Sequence, residues 1–206
     1  MDSYIHWLSQ EVSIKLQAGL QMKIFFLALA FCTFFFNSCS VMKFAQYYAS
    51  ADSSPGKLKG RVYETKDTSY EIGQLPDNWN RINVDGGDLA FWNAKFGATI
   101  TVNSICHRND KNLNYSLKAL TNSLLIGIKD KRLVESEETT ISGEKALLSV
   151  YQGNLDKVPV KIIAVVLKKK SCNYDLTYAS SPDSFDGGIA DFKGFVSQFR
   201  LIDQKK

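Results

Sequence analysis

The sequence predicts an α+β domain, an antiparallel sheet flanked by helices in an α/β/α sandwich. Three observations carry this. Ala98–Cys106 and Cys172–Tyr178 alternate apolar and polar residues with a period of two, as half-buried strands do. Ile162–Leu167 is continuously apolar, as a central strand covered on both faces should be. Leu113, Leu117, Leu120 and Leu124, and again Phe185, Ile189, Phe192, Val196 and Phe199, fall at helical spacing. Helices on both sides of an antiparallel sheet are the economical way to bury all three patterns.

The elements follow in order. The body begins near Arg61. Tyr70-Glu71-Ile72 followed by Leu75-Pro76 reads as a short strand stopped by proline. Trp79, Ile82 and Val84 lead into Asp85-Gly86-Gly87-Asp88, a tight turn, and Leu89–Trp92 forms the next strand. Ala98, Ile100, Val102, Ser104 and Cys106 share one strand face. The Leu113–Leu124 helix has Asn112 or Asn114 as cap and Gly127 as stop. Leu133–Ile141 and Lys145–Tyr151 flank Ser142-Gly143 as a hairpin. Lys168–Lys170 with Ser171 makes the turn before Cys172, Tyr174, Leu176 and Tyr178, which share a face. Ser181-Pro182-Asp183-Ser184 opens the closing helix. Short turns between the later strands make them antiparallel neighbours.

Ahead of the body, Lys23 supplies a positive n-region and Ile24–Phe36 an uncharged apolar run of about 13 residues. That is short of the roughly 20 residues a spanning helix needs. Phe36-Asn37-Ser38-Cys39 then resembles a bacterial lipobox, with Phe36 where leucine is usual and Asn37 where a small residue is typical. The resemblance implies a lipoprotein signal peptide over residues 22–38, cleavage before Cys39, and acylation of Cys39, palmitate included. An uncleaved membrane anchor is the rival reading. Met22 is the expected start, which makes residues 1–21 a mis-called extension. Residues 39–60, rich in Ser, Pro and Gly, read as a tether, and residues 61–203 as a single α+β domain. Ser40 after the cysteine favours the outer over the inner membrane, by the sorting rules of enteric lipoproteins.

The formal charge of +4 is mild and scattered, with no basic stripe, so nucleic acid is not an expected partner. Of four cysteines, Cys32 lies in the signal and Cys39 is the lipid site, which leaves Cys106 and Cys172. An even pair in an oxidising compartment points to a disulfide, worth roughly 4 kcal/mol on the chain-entropy model. Two buried free thiols are the alternative.

The opening YEIGQLPDNW (Tyr70–Trp79) and the closing aromatic helix FDGGIADFKGFVSQF (Phe185–Phe199) resemble PsbP-like domains. GDLAFWN, GATITVNSIC, LTNSLLIGI and CNYDLTY are similar to segments of uncharacterised lipoproteins of deltaproteobacterial type. The resemblance implies a sheet flanked by helices and a mostly non-enzymatic accessory role in membrane complexes, and it transfers no catalytic residues.

The chemistry-bearing residues point the same way. His107 is the one histidine after the signal, which excludes a multi-histidine zinc site. Cys106 and His107 point to opposite strand faces and so do not form a nucleophile and base pair. Asp85 and Asp88 fit a turn better than a calcium loop, and Asp183 and Asp186 fit helix capping. Glu135, Glu137 and Glu138 read as a solvated strand edge. No phosphate loop or G-x-S-x-G elbow is present in the sequence. Trp79, Phe91, Trp92 and Phe96 cluster in sequence as a candidate ligand or partner contact, with core packing as the competing reading. Lys168–Lys170 reads as a solvated turn, with anionic headgroups as the alternative contact. The expectation is a lipid-anchored, non-catalytic envelope domain, without cofactor or metal, that binds a protein partner. A carrier or sensor of an apolar small molecule is the second reading, and a hydrolase with an unfamiliar site the third.

Overall fold

The computed structural model describes residues 56–84, 87–106 and 115–203. The signal segment, Cys39, most of the 39–60 spacer, Asp85, Gly86, His107, Asn112, Leu113 and Asn114 lie outside the described residues.

Seven strands form one antiparallel sheet. They are β4 (Asn80–Ile82), β5 (Leu89–Asn93), β6 (Ala98–Cys106), β7 (Lys129–Ile141), β8 (Glu144–Leu155), β9 (Val158–Lys169) and β10 (Cys172–Ser180), in the spatial order β4-β5-β6-β10-β9-β8-β7. Four short strands form a second antiparallel sheet: β1 (Lys57–Lys59), β2 (Val62–Glu64), β3 (Ser69–Glu71) and β11 (Arg200–Ile202), in the order β1-β2-β3-β11. Among the described residues there are two helices, α1 (Leu117–Leu124) and α2 (Ile189–Ser197), the latter preceded by a 3-10 turn over Pro182–Gly187. Among the described residues no helix is long and apolar enough to cross a membrane.

Register sets the two faces of the large sheet. One row of directly opposed residues runs Phe91, Ile100, Tyr178, Ile163, Val150, Glu135. The neighbouring row on the other face runs Ala90, Thr101, Thr177, Ala164, Ser149, Ser136. The first, front face is apolar until it reaches the edge strand, and it carries the main core. Phe192 and Phe195 of α2, and Tyr63, Tyr70 and Phe199 on and beside the small sheet, are all buried in that cluster. The back face is covered over β8–β10 by α1 and the turn after it, where Leu124, Leu125 and Ile128 meet Ala164, Ile162 and Ala179. Ile162–Leu167 is therefore buried on both faces, as its unbroken apolar run requires.

Local chemistry explains the turns. Ser142 and Gly143 both have positive φ (53° and 81°), the type I′ geometry that matches strand twist in a two-residue hairpin. Ser116 caps α1, its hydroxyl accepting from the Ala119 amide at 3.2 Å.

Several boundaries differ from the sequence reading. The first helix begins at Leu117 and ends at Leu124, before Gly127. The closing helix is two pieces that meet at Gly188, where a Cβ would lie 2.8 Å from the Tyr178 hydroxyl. Strand β1 falls inside the stretch read as tether, and it and β11 are three residues each, too short to show periodicity.

Gly73, in the Tyr70–Trp79 motif, has a packing role. A Cβ there would lie 2.2 Å from the Phe195 carbonyl oxygen, so the chain passes against the α2 backbone. Gly73→Ala is expected to destabilise the domain by about 2–3 kcal/mol, measured by urea unfolding. A loss under about 0.5 kcal/mol would contradict this packing.

Candidate functional site

A concavity of about 530 Å³ lies between the edge strand β7 and helix α2, with β8 and β9 as its floor. Leu148, Val150, Ile163 and Phe192 make an apolar base. Strand periodicity places Glu135, Glu137 and Thr139 on the same front face, so β7 supplies a polar, acidic wall. Helical periodicity places Ile189, Lys193 and Val196 along the opposite wall. Lys161 lines the same groove, its Nζ 4.2 Å from the centroid of the Phe185 ring. Thr140, Ile141, Val196 and Ser197 also line a second hollow of about 460 Å³ that reaches Arg200. The groove thus offers an apolar floor between an acidic rim and a basic one. Among the described residues no group of three or more His, Cys, Asp or Glu side chains is placed to hold a metal.

The four aromatics singled out in the sequence are separated by the fold. Trp79 is buried, donates from Nε1 to Asp191 Oδ2 at 2.9 Å and meets the edge of Tyr178 at 6.4 Å. Phe91 is buried on the front face against Phe195. Trp92, the next residue along the strand, falls on the back face opposite Thr99 and is half-buried. Phe96 packs at the core's margin, where it closes on Gly187, with Lys95 Nζ 5.3 Å from its ring. None of the four lines the groove.

Cys106 and Cys172 are directly opposed on β6 and β10 and joined by a disulfide. In the lysine run, Lys169 and Lys170 pair with Asp203 at 3.1 and 3.2 Å, which lowers the Asp203 pKa, and Lys168 donates to the Tyr115 carbonyl. Ser181 holds the N-cap position of the 3-10 turn, and Asp183 lies in its first turn.

Sequence reasoning passed over the groove. It read Glu135 and Glu137 as a solvated edge and Phe192, Ile189 and Val196 as helix core. The alternation of Glu135, Glu137 and Thr139 on one face was a visible signal, but the apolar wall facing them comes from a helix some fifty residues away in sequence.

Two carboxylates, one buried and one half-buried as a residue, lie near the disulfide end of the sheet. Asp88, 6 % exposed, accepts hydrogen bonds at Oδ2 from the hydroxyls of Tyr70 and Ser104, while among the described residues Oδ1 has no hydrogen-bond partner. Burial raises its pKa to about 6, against the lowering effect of those two donors. Asp175 is half-buried as a residue and accepts from Asn103 Nδ2 at 2.9 Å. Burial raises its pKa to about 7, the Asn103 bond opposing and the Asp88 charge adding. Asn103 also receives the Asp88 amide at Oδ1, so one amide side chain links the two acids. Tyr70, which donates to Asp88, is fully buried.

The two acids give a signed pH dependence. Each has a folded pKa above its unfolded value of 3.8, so between about pH 4 and 7 the folded state holds protons that the unfolded chain has released. Stability therefore falls as pH rises through that window. The expected loss between pH 5 and pH 8 is up to about 4 kcal/mol, read by urea unfolding. Asp175→Asn should flatten the upper part of the slope. Stability that is flat or rising over this range would contradict the assignment.

The sequence matches no protein-family model and no curated protein. Among solved structures, it is similar to the cyanobacterial PsbP (CyanoP) of Synechocystis sp. PCC 6803, at 18 % identity over 71 % of this chain and 98 % of that one, with a TM-score of 0.51. It is also similar to LpqN of Mycobacterium tuberculosis, at 12 % identity over 66 % of this chain and 86 % of that one, again with a TM-score of 0.51. At these identities the likeness shows the fold alone. The fold is PsbP-like, an antiparallel sheet with helices against it.

Proposed function

We propose that this chain is a non-catalytic, partner-binding domain of the cell envelope, tethered through a lipid on Cys39, which grips a protein partner in the groove between β7 and α2. The groove carries the reading. An apolar floor between rims of opposite charge suits an anchoring side chain, with the rims setting its orientation. The location rests on the segment Met22–Cys39, with Ser40 favouring the outer membrane, and a cross-strand disulfide suits an oxidising compartment. LpqN, of like fold, is described as involved in cell envelope biogenesis, which agrees with that placement.

The volume of about 530 Å³ also falls within the range of small-molecule pockets, which favours an apolar ligand as the second reading.

A photoreactive amino acid at Thr139, on the groove wall, tests both in intact cells. The partner reading expects one reproducible protein adduct, reduced about fivefold or more by Lys193→Glu on the opposite rim. It also expects a mature N-terminus at acylated Cys39. A small-molecule adduct in place of a protein would favour the second reading. Absence of any adduct, or an unlipidated chain that begins before Met22, would overturn the corresponding half of the proposal.

A further inference from the structure

Among the described residues, strand β7 forms an outer edge of the large sheet and pairs with β8 alone. It is thirteen residues long and almost wholly exposed, with Leu133 and Val134 at its centre 49 % and 50 % exposed. Its charges are sorted by sign. Lys129, Lys131 and Arg132 precede the apolar pair, and Glu135, Glu137 and Glu138 follow it. Asp130 is the one exception, and it accepts a hydrogen bond from Asn154 Nδ2. Among the described residues none of those six charges makes an ion pair, and Arg132 bonds only the neutral Gln152.

Edge strands are commonly protected by charge and by bulges, and β7 has register shifts at Lys129/Arg132 and Leu133/Glu135. Protection alone does not call for sorting by sign. A sorted strand repels a parallel copy of itself, which sets like charge against like. It attracts an antiparallel copy related by a two-fold axis at Leu133–Val134, where Lys129 faces Glu138 and Arg132 faces Glu135, against one unfavourable facing of Asp130 and Glu137, and the apolar centres meet each other.

We propose that β7 pairs antiparallel with β7 of a second copy of this chain, joining the two large sheets edge to edge. The unpaired backbone N–H and C=O groups of the outer edge supply the pairing, and the sorted charges choose the partner and direction. A two-fold axis normal to the sheet keeps both front faces on one side, so the two grooves flank the axis. This pairing does not depend on the lipid anchor, and it shares Glu135 and Glu137 with the wall of the groove.

Cysteine crosslinking of the full chain in its own envelope tests the proposal. Leu133→Cys should give a reductant-sensitive species of twice the chain mass. Ile126→Cys, more exposed at 69 % but placed after α1, should give less than about a tenth of that yield. Adding Glu135→Lys, Glu137→Lys and Glu138→Lys to Leu133→Cys should cut the yield about tenfold or more. Reversing Lys129, Lys131 and Arg132 to Glu in that same chain should restore it, because the sorted pattern is recovered with opposite sign. Protease resistance reports folding of each variant. Should the fully reversed chain misfold, coexpression of an all-basic edge with an all-acidic edge gives the same test, since only the mixed pair should crosslink. Absence of the Leu133→Cys dimer, an adduct with a different protein in its place, or a yield indifferent to charge would overturn the proposal.

Discussion

The eight-residue ladder between β6 and β10, from Cys172 opposite Cys106 to Ala179 opposite Thr99, is the constraint on which the rest of this structure depends. Every other join in the large sheet links strands that follow one another in sequence. This one spans a sequence separation of 66 residues at its disulfide end and unites two separately formed halves, the β4–β6 ribbon and the β7–β10 meander. Closing so long a loop is entropically costly, and the return is a sheet wide enough to bury a real core. A slip of one residue would turn β6 over against β10, sending Ile100 and Val102 to the back and Thr99 and Thr101 to the front while Leu176 and Tyr178 stay. The register is thus fixed by burial along its length and by a covalent bond at one end.

The groove follows from the same register. Rows that are apolar over β5, β6, β10, β9 and β8 end at β7 on Glu135 and Glu137. Helix α2 needs only the apolar part, and Phe192 and Phe195 seat it there. The acidic edge strand is left facing the helix across an apolar floor, so the concavity arises where the core stops. Among the described residues, most aromatic side chains fill the core under α2 and the small sheet. Tyr63, Tyr70, Tyr174 and Phe199 form one tilted and edge-on stack there, with ring centroids 5.3–6.4 Å apart.

Much of this was legible in the sequence where a pattern is local and long. Alternation marked β6 and β10, an unbroken apolar run marked β9, and Ser142-Gly143 marked the β7–β8 hairpin. The small sheet was not legible, because its strands are three residues each and β11 pairs with β3 from the far end of the chain. The aromatic cluster shows how nearness in sequence differs from nearness in space. Phe91 and Trp92 are adjacent, and the strand sends them to opposite faces. The groove was half legible: parity puts Glu135 and Glu137 on one face, but only tertiary packing places Lys193 across from them. The acidic character of Asp88 was assigned to a turn, and its burial against Tyr70 and Ser104 depends on contacts no local pattern reveals.

The central claim is that the β6–β10 seam is formed in an oxidising compartment in the stated register. Thiol alkylation in intact cells, followed by proteolysis and mass spectrometry without reductant, tests it most directly. The account predicts a peptide containing Cys106 linked to one containing Cys172, with neither cysteine alkylated. Recovery of both as alkylated free thiols would contradict the compartment reading, and a link from either to a different cysteine would contradict the register as well.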